Sequence, residues 1–147
     1  MKVSTKGRYG LRFMLDVAMY SQDGNVTLKE VAQRQGISEK YLWQLAGPLK
    51  TAGLIQATLG AQGGYVLAKP AAQISVLQIF EALEGECSLV SCVTAPSTCP
   101  SRTACAAHSV WSDLSRTLGA AMAALSLADV AEKQRAINDD SSPTYNI

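Results

Sequence analysis

Four cysteines and the only histidine of this 147-residue chain lie in one short stretch, from Cys87 to His108. Three of the cysteines and the histidine follow the spacing Cys92-x6-Cys99-x5-Cys105-x2-His108. Thiolates and a neutral imidazole are good ligands for an iron–sulfur cluster or for zinc. The stretch lacks the paired C-x2-C motifs of common zinc sites, which disfavours zinc, but spacing alone does not select the metal. Four free cysteines without metal are the alternative, with Cys87 a spare thiol or a substitute ligand.

The compartment limits what these thiols can do. No apolar run is long enough to cross a bilayer, and Arg8, Arg12 and Asp16 interrupt the apolar stretch that a signal peptide would need. We therefore expect a cytoplasmic protein with no membrane contact. Cytosolic chains rarely keep structural disulfides, so clustered thiols there indicate metal or redox chemistry.

The net charge of +1 conceals an uneven distribution along the chain. Residues 1–80 contain nine Lys and Arg against four Asp and Glu, whereas residues 81–147 contain four against eight. The first part is therefore at +5 and the second at −4. This arrangement suits a chain in which only the first part binds a polyanion. Chance scatter on a solvated surface is the alternative interpretation.

The basic part of the chain carries the pattern of a helix-turn-helix. Thr5 can cap a first helix that runs to about Tyr20, with Leu11, Leu15 and Ala18 as its buried stripe. A capping box over residues 27–30 predicts a second helix over about residues 28–35. Gly36 should end the second helix, and Ile37 should pack inward. Ser38 should cap a third helix, which Gly47-Pro48 should kink and Gly53 should end. Two short helices joined by a tight turn form a helix-turn-helix.

A β-hairpin should follow the third helix. Residues 54–59 and 65–68 read as two strands, and the glycine-rich residues 60–64 read as the tip between them. A hairpin in this position is a wing. Ser75 then predicts a further helix over residues 76–83, with Val76, Ile79, Phe80 and Leu83 on its apolar side.

The third helix is the predicted recognition helix, because such helices present their N-terminal turns to base edges in the major groove. We expect Ser38 and Lys40 to bind phosphate and Gln44 to pair with base edges. Tyr41 and Trp43 either contact DNA as well or pack against neighbouring side chains.

The wing tip and the first helix provide further candidates for DNA contact. Gln62 and the backbone amides of Gly63 and Gly64 can lie against phosphate or the minor groove, although a tight hairpin needs glycine in any case. Lys6 and Arg8 can contact phosphate, and solvated surface is their alternative role.

The acidic part of the chain should contain a loop and a long helix. Residues 85–107 have no clean period and read as a loop. A helix that starts near His108 has an apolar stripe of coiled-coil type over about two heptads. The stripe consists of Trp111, Leu114, Leu118, Ala121 and Leu125. Ser126 and Asp129 predict a new cap and a short terminal helix.

Several short runs, taken in order, resemble those of a known family. The runs are Lys2–Gly10, Gly36-Ile37-Ser38 with Tyr41-Leu42, Gly63-Gly64-Tyr65, and Cys105-Ala106-Ala107-His108 followed by Trp111-Ser112-Asp113-Leu114. Together they resemble the IscR-type iron–sulfur regulators, the Rrf2 family of winged-helix repressors, over about residues 1–135. The resemblance implies a homodimer whose long C-terminal helices cross. It also implies a [2Fe–2S] cluster held by Cys92, Cys99, Cys105 and His108.

We therefore predict a mostly α fold with a small β-hairpin wing, in which a winged helix-turn-helix is followed by a long C-terminal dimerisation helix. The predicted parts are a DNA-binding domain over residues 1–84, a cysteine-rich cluster-binding loop over 85–107, a dimerisation helix with a short terminal helix over 108–137, and a flexible tail over 138–147. Each boundary follows a change of pattern along the chain.

The predicted function is a sequence-specific regulator, a repressor, that binds promoter duplex DNA and responds through its cluster to iron, redox or nitric oxide status. One alternative is a regulator of the same fold that senses by thiol oxidation without metal. A cysteine-dependent enzyme is the other alternative. It is disfavoured because His108 is the only histidine and no nucleophile–base pair has a recognisable spacing in the first half.

Overall fold

The computed structural model describes residues 2–142; residues 143–147, the end of the predicted tail, lie outside the described residues. Single 3-10 turns separate some of the helices and strands. In chain order, the elements are α1 (Thr5–Tyr20), α2 (Leu28–Gln35), α3 (Glu39–Thr51), β1 (Ile55–Thr58), β2 (Gly64–Leu67), α4 (Val76–Glu84), α5 (Ser91–Thr94), α6 (Ala106–Ala124) and α7 (Leu127–Asp140). The predicted mostly α fold with a hairpin wing is confirmed. Within residues 2–142, no helix is both long enough and apolar enough to cross a membrane.

Helix α1 is the central helix of the core. Its cap is Ser4 rather than the predicted Thr5, because the Ser4 hydroxyl accepts a hydrogen bond from the Gly7 amide at 3.3 Å. Phe13 and Val17 are completely buried, as is Met14 between them. Ala18 is buried as predicted, whereas the other two residues of the predicted stripe are only half-buried. The buried face is thus wider than the predicted stripe, because α1 contacts α2, α4 and α7 on different sides.

The helix-turn-helix forms as the capping pattern predicts. The Thr27 hydroxyl and the Glu30 carboxylate cap each other's backbone amides at the start of α2, and Gly36 ends α2 in the left-handed region with φ +63°. Ser38 caps α3 by accepting a hydrogen bond from the amide of Tyr41 at 3.2 Å. Helix α3 continues through Pro48 as one helix to Thr51.

Hydrogen bonds to charged caps make the start of α2 and the start of α7 sensitive to acid. Bonds from the backbone and side chain of Thr27 lower the pKa of Glu30, and bonds from Ser126 lower the pKa of Asp129 in the same way. A carboxylate whose pKa is lowered on folding stabilises the fold above its ordinary pKa, and that contribution is lost as the pH falls. Both caps are therefore intact at neutral pH.

The two strands form the wing, an antiparallel hairpin in which Ile55 pairs with Leu67 and Thr58 pairs with Gly64. Backbone hydrogen bonds of 2.9 and 2.7 Å join Val26 to Tyr65, so β2 is also tied to the segment before α2. The wing is therefore tied to the segment before α2 at Tyr65 as well as being joined to the chain at its two ends.

The chain returns to the N-terminal core after α6. The amide of Val76 donates to the carbonyl of Leu125 at 2.8 Å, and the amide of Leu127 donates to the carbonyl of Ile74 at 2.7 Å. Leu127 is completely buried and Ala131 nearly so, and α7 packs on α1. The terminal helix is thus part of the N-terminal core, although the sequence analysis grouped it with the predicted dimerisation helix.

The boundaries of the C-terminal segments also differ from the predicted ones. Helix α6 begins at Ala106 rather than near His108, because the thiol of Cys105 caps it. The predicted loop contains the short α5 and two 3-10 turns. Helix α7 extends to Asp140, so residues 138–140 are helical where the sequence predicted a tail.

Candidate functional site

The exposed face of α3 lies opposite the side chains that this helix buries. Leu42 and Leu45 are buried, and Ala46 and Leu49 are buried beside them. This arrangement leaves three predicted DNA-binding residues exposed, namely Lys40, Trp43 and Gln44. The Trp43 side chain is 69% exposed, so the interpretation that it packs against neighbours is not supported.

Tyr41, in contrast, is half-buried. Its ring meets the Tyr9 ring edge-on, with the ring centroids 5.9 Å apart. The guanidinium groups of Arg8 and Arg12 lie 5.7 and 5.4 Å from the Tyr9 centroid. The Tyr9–Tyr41 contact therefore joins α1 to α3, and the Arg8 and Arg12 cations lie beside the Tyr9 ring.

The predicted phosphate contacts lie at the N-terminal ends of two helices. Lys6 and Arg8 are exposed in the first turns of α1, and Ser38 is exposed at the cap of α3. The partial positive charge of a helix N-terminus favours phosphate, and the two cations add to it. Arg12 instead donates hydrogen bonds to the side chain and the backbone carbonyl of Gln35.

The wing tip is a closed turn. The Gln62 side chain is exposed, and its backbone carbonyl accepts a hydrogen bond from the Asn25 side chain at 2.8 Å. The Gly63 amide donates to the Gly60 carbonyl at 3.0 Å, which disfavours the predicted use of that amide for phosphate. A Cβ on Gly63 would collide with the Thr58 carbonyl, so glycine is needed there by the turn itself.

Two exposed residues of this surface were not predicted from the sequence. Lys50 lines a groove of about 160 Å³ together with Trp43, Gln44 and Tyr65 of β2. Seven residues, or two helical turns, separate Lys50 from Trp43, and this spacing could have identified it. Leu59, at the end of β1, is 93% exposed.

An ion pair with a buried carboxylate holds α2 against α1. The Arg34 guanidinium and the Asp16 carboxylate are 2.7 Å apart, and the Asp16 side chain is completely buried. The Gln35 amide also donates to Asp16, at 2.9 Å. The Arg34 guanidinium stacks 4.1 Å from the Tyr20 ring centroid. Hydrogen bonding to Asp16 raises the pKa of Arg34, so the guanidinium stays charged at any working pH.

The four cysteines are half-buried free thiols. Over residues 2–142, no three side chains of His, Cys, Asp or Glu come close enough together to hold a metal ion. The structure therefore does not assemble the four predicted ligands Cys92, Cys99, Cys105 and His108 into one site.

Two of the predicted ligands do lie together at the start of α6. The His108 amide donates to the thiol of Cys105 at 3.4 Å. The Nδ1 atom of His108 is buried and has no hydrogen-bond partner among the residues the structure describes. An unpaired buried polar atom is costly, so this atom calls for a partner. Three thiols and an imidazole form a donor set that fits an iron–sulfur cluster.

Cys87 has a different environment. Its sulfur lies 3.9 Å from the sulfur of Met122 on α6. Burial and the neighbouring charge of Glu81 raise the pKa of the Cys87 thiol, so it stays protonated at neutral pH and is a weak nucleophile. The chain just after it is fastened to α6 by a hydrogen bond of 3.0 Å from the Leu89 amide to the hydroxyl of Ser115, which is buried.

One side of α6 is apolar and exposed. Ser115 faces the interior, and α6 packs on α4 and α5. Trp111, Leu114 and Leu125, three members of the predicted stripe, are 42%, 46% and 39% exposed. Large side chains left in water along one helix face mark a surface for a partner.

Comparisons with known proteins agree on the kind of molecule. The family model described as Rrf2, iron-dependent transcriptional regulator, matches residues 3–133. A protein named rrf2 from Nitratidesulfovibrio vulgaris is 40% identical over 130 residues, which are 88% of this chain and 87% of that protein. The solved structure of T. potens IscR superimposes with a TM-score of 0.73 at 36% identity, over 99% of this chain and 95% of that one. The oxidised form of CymR from Staphylococcus aureus superimposes with a TM-score of 0.69 at 37% identity, over 90% and 97%.

Proposed function

The chain belongs to the Rrf2 family of transcriptional regulators, and from this premise we propose that it is a repressor that binds specific promoter sequences as a dimer and responds to its surroundings through the cysteine segment. Family membership confirms the resemblance drawn from the sequence. Because the relatives are named as regulators, the expectation that the chain is not an enzyme is also confirmed.

The observation that carries the DNA-binding proposal is the exposed face of α3. Gln44 and Trp43 project from a capped helix whose opposite side is buried, in the position from which such helices enter the major groove. Lys6 and Arg8 lie at the start of a helix that contacts α3 through Tyr9 and Tyr41. The residues proposed to contact bases and those proposed to bind phosphate thus lie on two helices that are packed together.

We expect Gln44→Ala and Lys6→Ala to weaken DNA binding in different ways. A lost base contact should cost about 1–3 kcal/mol for the selected sequence only, whereas a lost phosphate contact should weaken all sequences similarly and make the slope of log K against log salt shallower by about one. Competition titrations of selected against scrambled duplexes, repeated at several salt concentrations, measure both quantities.

Lys29→Ala is the matched control, because Lys29 is an exposed lysine of α2 that has no assigned DNA contact. Wild-type binding that does not change between low and moderate salt would contradict the proposal. A Gln44→Ala protein with unchanged discrimination would remove Gln44 from the set of base-reading residues.

We further propose that Cys92, Cys99, Cys105 and His108 hold a [2Fe–2S] cluster. The support is the donor set, the unpaired buried Nδ1 of His108, and the hydrogen bond from the His108 backbone amide to the Cys105 thiol. When bound, the cluster supplies a redox-sensitive link between the loop and α6. This chain's residues would then order the segment from Cys92 to Cys105 against the start of α6. A ligand shifts a protein between states only through different affinity for them, and ligands on two segments provide that difference.

A second candidate is a regulator of the same fold that senses by thiol oxidation without metal. Two observations favour it: the four free thiols do not converge on a metal site in the described part of the chain, and a similar solved structure is an oxidised form of CymR. The raised pKa of Cys87 argues against Cys87 as the first thiol to react, because the thiolate is the reactive form.

The dimer is proposed from the apolar face of α6. An isologous interface in which two such faces cross would remove Trp111 and Leu114 from water. We expect Leu114→Asp to convert the dimer to a monomer at micromolar concentration, because each interface would then contain two buried unpaired carboxylates. Sedimentation or light scattering measures the mass.

Ala120→Asp is the control for this prediction, because Ala120 is exposed on the opposite side of α6. It should leave the mass unchanged. A Leu114→Asp protein that remains dimeric, with unchanged circular dichroism, would exclude this face of α6 as the interface.

A further inference from the structure

The wing differs from the rest of the DNA-facing surface in charge. From Leu54 to Ala68 there is no charged side chain, whereas α1 and α3 present Lys6, Arg8, Lys40 and Lys50. Phosphate contacts made by cations release counterions and depend on salt. Because the wing has no cation, any contact it makes with DNA must be polar or apolar, and insensitive to salt.

Leu59 is the most prominent apolar side chain of this wing. It is 93% exposed, and Ala61 beside it on the tip is exposed as well. Single exposed apolar residues are common on protein surfaces, so exposure alone carries no conclusion. The surroundings of Leu59 supply the further argument.

The tip that presents Leu59 is closed by hydrogen bonds rather than mobile. The Gly63 amide donates to the Gly60 carbonyl at 3.0 Å, and the Asn25 side chain donates to the Gln62 carbonyl at 2.8 Å. Gly60 has φ +103°, a value that side chains other than glycine rarely adopt. Leu59 is therefore held in water on a fixed turn, and burying it against a partner costs little conformational entropy.

The wing and α3 border one groove. Tyr65 of β2 shares a groove with Trp43 and Lys50 of α3. The ring of Tyr65 also meets Phe13 of α1 edge-on, with the centroids 6.1 Å apart. If α3 enters the major groove, this connection would bring the wing close to the flanking DNA.

We propose that Leu59 inserts into the minor groove beside the α3 site and makes the protein select flanking sequences by how easily their base steps open. This inference rests on the proposed DNA-binding function. Minor-groove proteins use leucine as an apolar wedge between base steps, and pyrimidine–purine steps unstack most easily. The wing thereby contributes to DNA sequence specificity without a charged contact.

The test begins with duplexes that the wild-type protein selects from a randomised library. Leu59→Ala should bind the selected duplex about tenfold more weakly, since a buried leucine side chain is lost. The slope of log K against log salt should stay that of the wild type. A second selection with Leu59→Ala should lose the enrichment of flexible pyrimidine–purine steps in the flank and keep the sequence read by α3.

Two variants serve as controls. Lys50→Ala should make the salt slope shallower by about one without altering the flank preference, and Leu59→Arg should make the slope steeper by about one. Equal thermal midpoints for wild type and variants establish that the fold is unchanged.

The inference would be overturned if Leu59→Ala kept the affinity and the flank preference of the wild type. In that case the enrichment of duplexes by the wild-type protein would still support the DNA-binding function. Unchanged DNA binding combined with lost repression in cells would assign Leu59 to a protein partner and also overturn it. Failure of the wild type to enrich any duplex would instead defeat the proposed function itself.

Discussion

Anaerobically reconstituted protein should carry about two iron and two sulfide ions per chain, and Cys92→Ala, Cys99→Ala and Cys105→Ala should each lose most of both. The reason is that each thiolate would be a covalent ligand of the proposed cluster. Cys87→Ala should keep the full complement, because the pKa of Cys87 is raised by burial and the thiol packs against Met122 instead. Iron and sulfide analysis with visible absorption provides the measurement.

His108 gives the same experiment a second readout. An imidazole ligand raises the reduction potential of a [2Fe–2S] centre relative to an all-cysteine site. His108→Cys should therefore retain iron and shift the potential downward, whereas His108→Ala should retain less iron. A potential is a property of the ligand set, so a purely structural role for His108 would not move it.

Three outcomes would contradict the cluster or its ligand set. Stoichiometric zinc without iron in anaerobic protein would exclude it, and loss of iron in Cys87→Ala with full retention in His108→Ala would exclude the ligand set. DNA binding that responds to a thiol oxidant in iron-free protein, and is abolished by replacing Cys99 or Cys105, would establish thiol sensing instead.

Arg34→Met should lower the free energy of unfolding by about 2–4 kcal/mol, because it leaves the Asp16 carboxylate buried without its cation. A stability loss at the upper end of the range known for broken buried ion pairs is not expected. The Arg34 side chain is 30% exposed, and Gln35 still donates to Asp16. Urea denaturation at neutral pH measures the loss. Asp16 and Arg34 join α1 to α2, so DNA binding should weaken as well.

Arg116→Met is the matched control, because the Arg116–Asp113 pair has a similar distance of 2.9 Å but both side chains are largely exposed. Exposed pairs contribute at most about 1 kcal/mol. The double variant Asp16→Asn with Arg34→Met should recover part of the loss, because no unpaired charge is then buried. Equal losses for Arg34→Met and Arg116→Met would mean that burial of Asp16 is not the cause.

The features that could be predicted from the sequence are those that depend on neighbours in the chain. Thr27 and Glu30 specify a capping box within four residues, and Gly36 specifies the left-handed turn that ends α2. The wing is equally local, because its tip needs the glycines that the sequence displays. These signals were sufficient to predict the fold class and most of the residues on the exposed face of α3.

The features that were missed depend on partners far apart in the chain. Asp16 entered the sequence analysis only as a charge that interrupts an apolar stretch, yet it is buried and paired with Arg34 of another helix. Leu127 looked like the start of an appended helix, yet it fills the core beside Ile74. No pattern among neighbouring residues in the chain indicates either contact. For the same reason, spacing indicated that Cys105 and His108 are neighbours but could not establish whether Cys92 and Cys99 reach them.

The return of the chain at Leu127 also has a consequence for biosynthesis. The core around α1 lacks Leu127 and Ala131 until α7 has been made, so the ribosome must synthesise all of α6 before this core is complete. Contacts between distant segments form late and slow the folding of a chain. A nascent chain interrupted after the wing would hold α3 without the support of α7, and we expect such a truncated chain to bind DNA weakly.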